Sequence, residues 1–236
     1  LTAFFTPPIV IQAIYKKLND MGLVEGNILE PSCGIGNFIG MQPKEMNCNF
    51  YGVELDTISG QIAKQLYQKE IVAIQGFQDL DIPNHIFDAV IGNVPFGQIP
   101  IFDPQYKQNN FMIHDYFFAK ALDKVKVGGV VIFITSHFTM DKKNSNVRRY
   151  IAQRADLLGA IRLPDNTFTA NAGTKVTSDI LVLQKRERTY VHDPEWLNVE
   201  SNDNGLTMNA YFVNHPHMIL GKMVEESSPY GKAFTC

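Results

Sequence analysis

The chain has 236 residues, of which 45% are hydrophobic and 11% aromatic, and its formal net charge is −3. This length and hydrophobic content predict one α/β domain with a large core, plus an appendage. The acidic balance excludes a protein that binds nucleic acid over its whole surface, so such binding would require a local basic patch. Neither a membrane span nor a signal peptide is expected, because no apolar run approaches 18 residues and no basic-then-apolar segment opens the chain.

Cysteine usage predicts a reducing, cytoplasmic setting. Cys33, Cys48 and Cys236 show no paired spacing, which argues against a disulfide scaffold and against a metal site. The chain begins at Leu and ends at Phe-Thr-Cys, from which we expect it to be a piece of a larger protein.

The first predicted element is a helix that follows Thr6-Pro7-Pro8. A Thr before Pro is typical of a helix start, and apolar residues then follow at helical spacing. A plain capped helix accounts for this pattern.

A short strand next runs into a glycine-rich loop, Glu30-Pro31-Ser32-Cys33-Gly34-Ile35-Gly36-Asn37-Phe38. Glycines allow the backbone to pass close to a ligand, although a Gly-x-Gly is equally compatible with a dinucleotide site or a tight turn. The acid at the strand end suits an ammonium or a hydroxyl and would repel a pyrophosphate. Ile39 stands where a third glycine of the dinucleotide pattern would be.

A second strand over residues 50–56 ends in acids, and we choose Glu54 as the residue that binds ribose hydroxyls. The same order of glycine loop, strand and Glu occurs in dehydrogenases, so this feature alone does not distinguish a dehydrogenase from other ligand-binding proteins. Asp56 is predicted to cap the following helix. A third strand, residues 71–74, precedes Phe77, which is either a ligand contact or an ordinary core aromatic.

The apolar run at residues 87–91 predicts a buried parallel strand, and Asn93-Val94-Pro95-Phe96 follows it. Ligands of open α/β sheets bind at this carboxyl edge. The alternative is an ordinary turn whose Phe side chain packs into the core. The irregular run from 97 to 110 is either a lid or a long loop.

A helix is predicted from His114-Asp115 to Gly128-Gly129, with Phe117 on it. Because adjacent helical residues point apart, His114 and Asp115 are not expected to act as a catalytic pair. Strands are predicted at residues 130–134, 157–163 and 178–183. After Lys185 the chain becomes irregular, with a short helix expected at 218–224.

Residues 141–154 are basic, which indicates either a solvated helix face or phosphate contacts. The second interpretation would make four of them substrate-binding: Lys142, Lys143, Arg148 and Arg149.

Taken in order, Thr-Pro, Glu-Pro-x-x-Gly-x-Gly-x-Phe, a Glu at a strand end and Asn-x-Pro-Phe resemble the N6-adenine DNA methyltransferases of γ motif order. The resemblance covers about residues 4–185 and extends to methylase domains of helicase-fused proteins of bacterial mobile elements. It implies a class I S-adenosylmethionine-dependent, Rossmann-like methyltransferase: a doubly wound, seven-stranded, mostly parallel sheet with one antiparallel strand near the C-terminus. Residues 1–185 would form this domain, and 186–236 an irregular extension leading to further domains.

The resemblance also implies the cofactor, S-adenosylmethionine, and the residues that bind it: Thr6, Pro7, Glu30, Pro31, Gly34, Gly36, Glu54, Phe77 and Phe117. For Phe117, core packing is nearly as good an explanation. The family usually has an acid before the Phe at position 77, where this chain has Gly76. Gln75, Gln78 or Asp79 would have to replace it.

The catalytic residues implied are Asn93, Val94, Pro95 and Phe96. The Asn93 amide oxygen and the Val94 carbonyl would accept the two N–H bonds of adenine N6, while Phe96 and Phe168 would stack on the extruded base. Val94 replaces the second residue of the family motif, a Pro, whose carbonyl it retains.

The expected activity is methyl transfer to adenine N6 in DNA, in a restriction-modification or mobile-element setting. Target recognition or helicase functions would lie outside this chain. Alternatives are transfer to RNA or to protein Gln, and a non-catalytic module that binds DNA or a partner. A nicotinamide-dependent oxidoreductase is disfavoured by Glu30 and Ile39.

Overall fold

The computed structural model of the chain describes residues 5–97, 99–168, 176–228 and 231–236. Its central sheet is built from β1 Glu25–Glu30, β2 Asn47–Glu54, β3 Ile71–Ile74, β4 Phe87–Asn93, β5 Val125–Ser136, β6 Ala155–Leu163 and β7 Ser178–Lys185. The strand order is β3-β2-β1-β4-β5-β7-β6. The pairs on the β3 side of β5 are parallel, whereas β7 is antiparallel to both β5 and β6. The predicted seven-stranded, mostly parallel sheet with one antiparallel strand is therefore confirmed.

Helices cover both faces of this sheet. They are α1 Pro8–Asp20, α2 Asn37–Gly40, α3 Thr57–Leu66, α4 Ile113–Lys124, α5 Phe138–Asp141, α6 Asn146–Ala152 and α7 Ala210–Asn214. Alternate residues of the central strands belong to different cores: Val90 and Val131 pack with α4 and α6, whereas Ile91 and Ile132 pack with α1. This two-sided burial explains why β4 and β5 read as continuous apolar runs.

One predicted helix end and one predicted helix are wrong. Helix α4 ends at Lys124, and Gly128 lies inside β5 in the left-handed region, opposite an irregularity in the pairing with β4. No helix forms at 218–224; a 3₁₀ turn ends at Met218, and a strand begins at Val224. A glycine pair and a few apolar residues do not distinguish a helix end from a strand irregularity.

The chain after β7 is more ordered than the expected irregular extension. It contains α7, the pair β8 Val199–Ser201 and β9 Thr207–Asn209, and the pair β10 Val224–Ser228 and β11 Gly231–Thr235. Trp196, Leu197 and Phe212 are buried in the same core as α4. This part of the extension therefore packs on the sheet domain.

Within the described ranges, no helix is long and apolar enough to cross a membrane, and no group of three or more His, Cys, Asp or Glu side chains could hold a metal ion.

Candidate active site

The conspicuous polar side chains of the sequence lie at one edge of the sheet. Glu30, Glu54 and Asn93 are the last residues of β1, β2 and β4. Because these strands are parallel neighbours, their carboxyl ends lie side by side. The fold therefore joins the glycine-rich loop after β1 to the motif after β4.

Hydrogen bonds connect Asn93 to both N-terminal motifs. Its side-chain Nδ2 donates to Thr6 Oγ1 at 3.3 Å, and its main-chain carbonyl accepts from Ser32 Oγ at 2.9 Å. Thr6 makes no capping bond to α1, whose N-cap is Pro7. The expectation of a Thr cap is thus wrong, and the Thr6 hydroxyl faces Asn93 instead.

The residues after Asn93 are held to the next strand. The Val94 amide donates to Ile134 O of β5 at 3.1 Å, and the Val94 side chain is only 1% exposed. Pro95 and Phe96 are half-buried at the surface of the site. The buried side chain and the amide hydrogen bond of Val94 anchor the start of this segment.

Glu30 is a buried acid with an unsatisfied oxygen. The residue is 2% exposed, and its Oε2 has no hydrogen-bond partner within the described residues. Burial, together with the negative charge of Glu54, raises the pKa of the Glu30 carboxyl well above its usual range. Leaving such a group unpaired is costly, and a cationic ligand group would relieve that cost.

Glu54 and Gly34 form a second part of the cradle. Glu54 accepts hydrogen bonds from the amides of Gly34 at 2.7 Å and Asp56 at 2.8 Å. A carboxylate has about four acceptor positions, so two hydroxyls could still bind it. Gly34 has φ +55°, and a Cβ there would meet no atom within 4 Å, which leaves open space above the loop. Asp56 caps α3 through Ser59, as predicted.

Gly36 is required for a different reason. It has φ +89°, and a Cβ on it would collide with the ring of Tyr67. Gly36 therefore serves close packing of the loop, whereas Gly34 faces open space.

Phe77 and Phe117 pack on each other, with ring centroids 5.0 Å apart, and both are at least 95% buried. Contact with a cofactor stays a prediction for both. Beside them, the Gln78 amide occupies the space that a side chain on Gly76 would fill. Gln78 Nε2 donates to Asp79 Oδ2 at 3.0 Å, so the Oε1 of Gln78 points away from Asp79.

Arg148 does not fit the predicted phosphate contacts. It is 1% exposed, and its guanidinium donates to the carbonyls of Leu197 and Thr139. Arg149 lies at the surface but is paired with Asp193. Lys142 and Lys143 are exposed, so the basic run reduces to these two lysines.

Phe168 also lies elsewhere than predicted. Its side chain is 1% exposed in the core beneath α1, together with Leu163, so it has no open face for a base in this conformation. The rest of the loop to which the stacking prediction referred, residues 169–175, lies outside the described residues.

Two features near the motif differ from the sequence prediction: the side chains of His114 and Asp115 do not point apart as expected, and the contacts of Asp103 were not predicted. His114 Nε2 lies 3.4 Å from Asp115 Oδ1, and both residues are buried, because side chains of neighbouring residues can still bend towards each other. In the loop after the motif, Asp103 accepts hydrogen bonds from Tyr116 and Lys120. The sequence signal for the Asp103 contacts was weak: an acid in a polar loop, followed by a helix that carries a Lys on its buried side.

Comparisons with known proteins identify the family of the chain. The sequence profile of the family described as N-6 DNA Methylase matches residues 2–209. Defense against restriction protein B of Escherichia phage P1 is 31% identical over 232 residues, which cover 96% of this chain and 10% of that protein. Type II methyltransferase M.CvrRI of Paramecium bursaria Chlorella virus XZ-6E is 27% identical, with 80% of this chain and 49% of that protein covered. The chain thus spans from a tenth to about half the length of these relatives.

Solved structures show the same fold. A class I S-adenosylmethionine-dependent methyltransferase from Listeria monocytogenes superposes with a TM-score of 0.66 at 20% identity, covering 81% of this chain and 63% of that one. The M protein of the type I restriction enzyme EcoKI gives 0.62 at 16% identity, covering 77% and 44%. The fold is that of class I S-adenosylmethionine-dependent methyltransferases, and by its sequence the chain belongs to the N-6 DNA methylase family.

Proposed function

We propose that this chain transfers the methyl group of S-adenosylmethionine to the N6 amine of adenine in DNA, on a base turned out of the duplex. The observation that carries the proposal is the hydrogen bond from Asn93 Nδ2 to Thr6. By using the amide nitrogen as a donor, this bond orients the amide oxygen of Asn93 as an acceptor for a substrate amine.

The residues around Glu30 suit the cofactor. Its unsatisfied carboxyl oxygen fits the ammonium of the methionine part, Glu54 fits ribose hydroxyls, and the space above Gly34 gives the ligand room. Gln78 Oε1 is an acceptor suited to an adenine amine in place of the missing acid. When bound, S-adenosylmethionine supplies a methyl group on a sulfonium.

The role of the motif is to prepare the amine. The lone pair of adenine N6 is delocalised into the ring, which makes the amine a poor nucleophile. Acceptance of its two N–H bonds by the Asn93 amide oxygen and the Val94 carbonyl favours a more tetrahedral nitrogen, which is electrostatic preorganisation. Holding that nitrogen in line with the methyl adds proximity, and stacking on Phe96 holds the base. Displacement is direct, and burial raises the pKa of the Cys33 thiol, so Cys33 is unsuited to act as a nucleophile.

We also propose that a recognition or helicase domain outside these residues selects the target, since only Lys142 and Lys143 remain of the predicted basic patch. The protein would act in the reducing cytoplasm, with Cys33, Cys48 and Cys236 as buried thiols.

Substitution Asn93→Ala tests the assignment. We expect methyl transfer to fall by at least a hundredfold, the loss typical of one oriented polar group in a transition state, while the affinity for S-adenosylmethionine changes less than twofold. Isothermal titration and single-turnover transfer measure the two quantities. Loss of cofactor binding in this variant would overturn the role given to Asn93. Transfer to RNA or to protein Gln, but not to DNA, would favour the alternative substrates.

A further inference from the structure

An exposed aromatic side chain lies beside the candidate active site. Phe138, the first residue of α5, is 59% exposed. Ile134, four residues earlier on β5, pairs with Asn93 and accepts the Val94 amide. Four residues span at most about 14 Å, so the backbone of Phe138 lies within about that distance of Ile134, at the same carboxyl edge of the sheet as Asn93.

The turn that presents this ring is rigidly held. Asp141 pairs with the buried Arg162 at 2.9 Å and accepts the Asn209 amide at 2.9 Å, while Asn209 Nδ2 donates to Met140 O at 2.7 Å. Arg162 is in turn bound through two nitrogens to Asp179. A network of this kind fixes the backbone on which Phe138 stands.

The remaining residues of the turn are buried and bonded as well. Thr139 Oγ1 lies 2.9 Å from Thr135 Oγ1, and Arg148 donates to Thr139 O. Phe138 is therefore an exposed apolar ring between residues that are locked into the core. A fixed backbone means that little conformational freedom is lost when the ring binds.

One face of the ring is supported. The His137 ring packs against it with centroids 4.1 Å apart and the ring planes tilted by 33°, and His137 is itself held to Thr177 O through its amide at 3.2 Å and Nδ1 at 3.1 Å. The Phe138 ring is thus one of a pair of rings in contact, and its partner ring is held in place.

The charges next to Phe138 are complementary to DNA. Lys142 and Lys143 follow it and are exposed, whereas the one nearby acid of the turn, Asp141, is neutralised by Arg162. In a chain of net charge −3, this is a local positive surface suited to phosphates.

We propose that Phe138 is a wedge that inserts into duplex DNA and stacks in the gap left by the extruded base. This inference rests on the proposed function, because a gap forms only if a base leaves the duplex. Apolar side chains inserted between bases recur in proteins that distort DNA, and extrusion of a base costs unstacking that a substitute ring offsets. Lys142 and Lys143 would contact the backbone beside the insertion.

The first test measures binding of the full chain to a 25-base-pair duplex, either intact or with an abasic analogue at its centre. The native protein is expected to bind the abasic duplex roughly tenfold more tightly, as base–aromatic stacking predicts. Phe138→Ala should lose this preference and Phe138→Trp should keep it. The control is Val127→Ala, an apolar residue near the start of β5, the strand that precedes Phe138, and it is 52% exposed.

A second test compares methyl transfer to duplex plasmid and to single-stranded circular DNA. Phe138→Ala should slow transfer to the duplex roughly tenfold and leave transfer to the single strand unchanged, because a single strand needs no wedge. An unchanged abasic preference in Phe138→Ala, or an equal loss of transfer on both DNAs, would overturn the wedge. No transfer by the native protein to either DNA would instead contradict the proposed function, and the abasic preference would still decide on Phe138.

Discussion

The buried acid at the end of β1 offers a test of the cofactor site that needs no DNA. Glu30→Gln retains the shape of the side chain and removes its titration. Burial and Glu54 raise the pKa of Glu30 well above 4.5 in the folded protein, whereas in the unfolded chain the pKa is ordinary. Between these two values the folded state holds one more proton than the unfolded state. Stability therefore falls as pH rises through this window, by about 1.4 kcal/mol per pH unit for one proton.

The variant should lose this contribution. From pH 5 upwards, urea unfolding of Glu30→Gln should show a shallower decline in stability with pH than that of the native protein. Glu25→Gln, at the exposed first position of the same strand, is the control and should follow the native curve.

The same variant should bind the cofactor more weakly. A hydrogen bond to a charged group contributes about 1.5–3 kcal/mol, so the affinity for S-adenosylmethionine should fall roughly 10- to 150-fold in Glu30→Gln. Because the cation binds the ionised acid, native affinity should rise with pH through the same window, and that of the variant should not. Titration calorimetry at several pH values measures both. Native affinity and native pH dependence in Glu30→Gln would refute this account of the site.

Three further outcomes are expected. Gly34→Ala should cost about 1–2 kcal/mol of stability because its backbone is left-handed, and it should weaken cofactor binding. Gly36→Ala should cost more stability because its Cβ meets Tyr67. Thermal melts and cofactor titrations measure the two effects, and equal losses of stability would contradict the distinction. Replacement of Lys142 and Lys143 by Ala should reduce the slope of log K against log salt for DNA binding by about 2 without loss of stability. Arg148→Ala should instead destabilise the fold by about 3 kcal/mol, measured by urea unfolding. A variant of unchanged stability that binds DNA more weakly would support a phosphate contact of Arg148 after all.

Much of the sheet was predictable because strands buried on both faces are continuous apolar runs, as at β4 and β5. The antiparallel direction of β7 was available only through the resemblance, since a run such as 178–183 carries no sign of its direction. The packing of Trp196 and Phe212 was not predictable, because isolated aromatics in a polar segment show no periodicity.

At the site, the polar residues at strand ends were found because a short strand followed by Gly, Pro or Asn marks its own carboxyl edge. The basic run was misread because charge alone does not show which side of a helix faces the core. Arg148 shares the apolar face of α6 with Ile151 and Ala152, three and four residues later, and this spacing was the available signal. The contact of Thr6 with Asn93 joins residues 87 positions apart, which only the fold brings together.

The most direct measurement of the central claim is transfer of label from methyl-labelled S-adenosylmethionine to mixed plasmid DNA, with the product nucleosides separated. The account predicts label in N6-methyladenine with the native chain and a loss of that label by at least about a hundredfold with Asn93→Ala. Label in another nucleoside, or equal label with the native chain and with Asn93→Ala, would contradict the account.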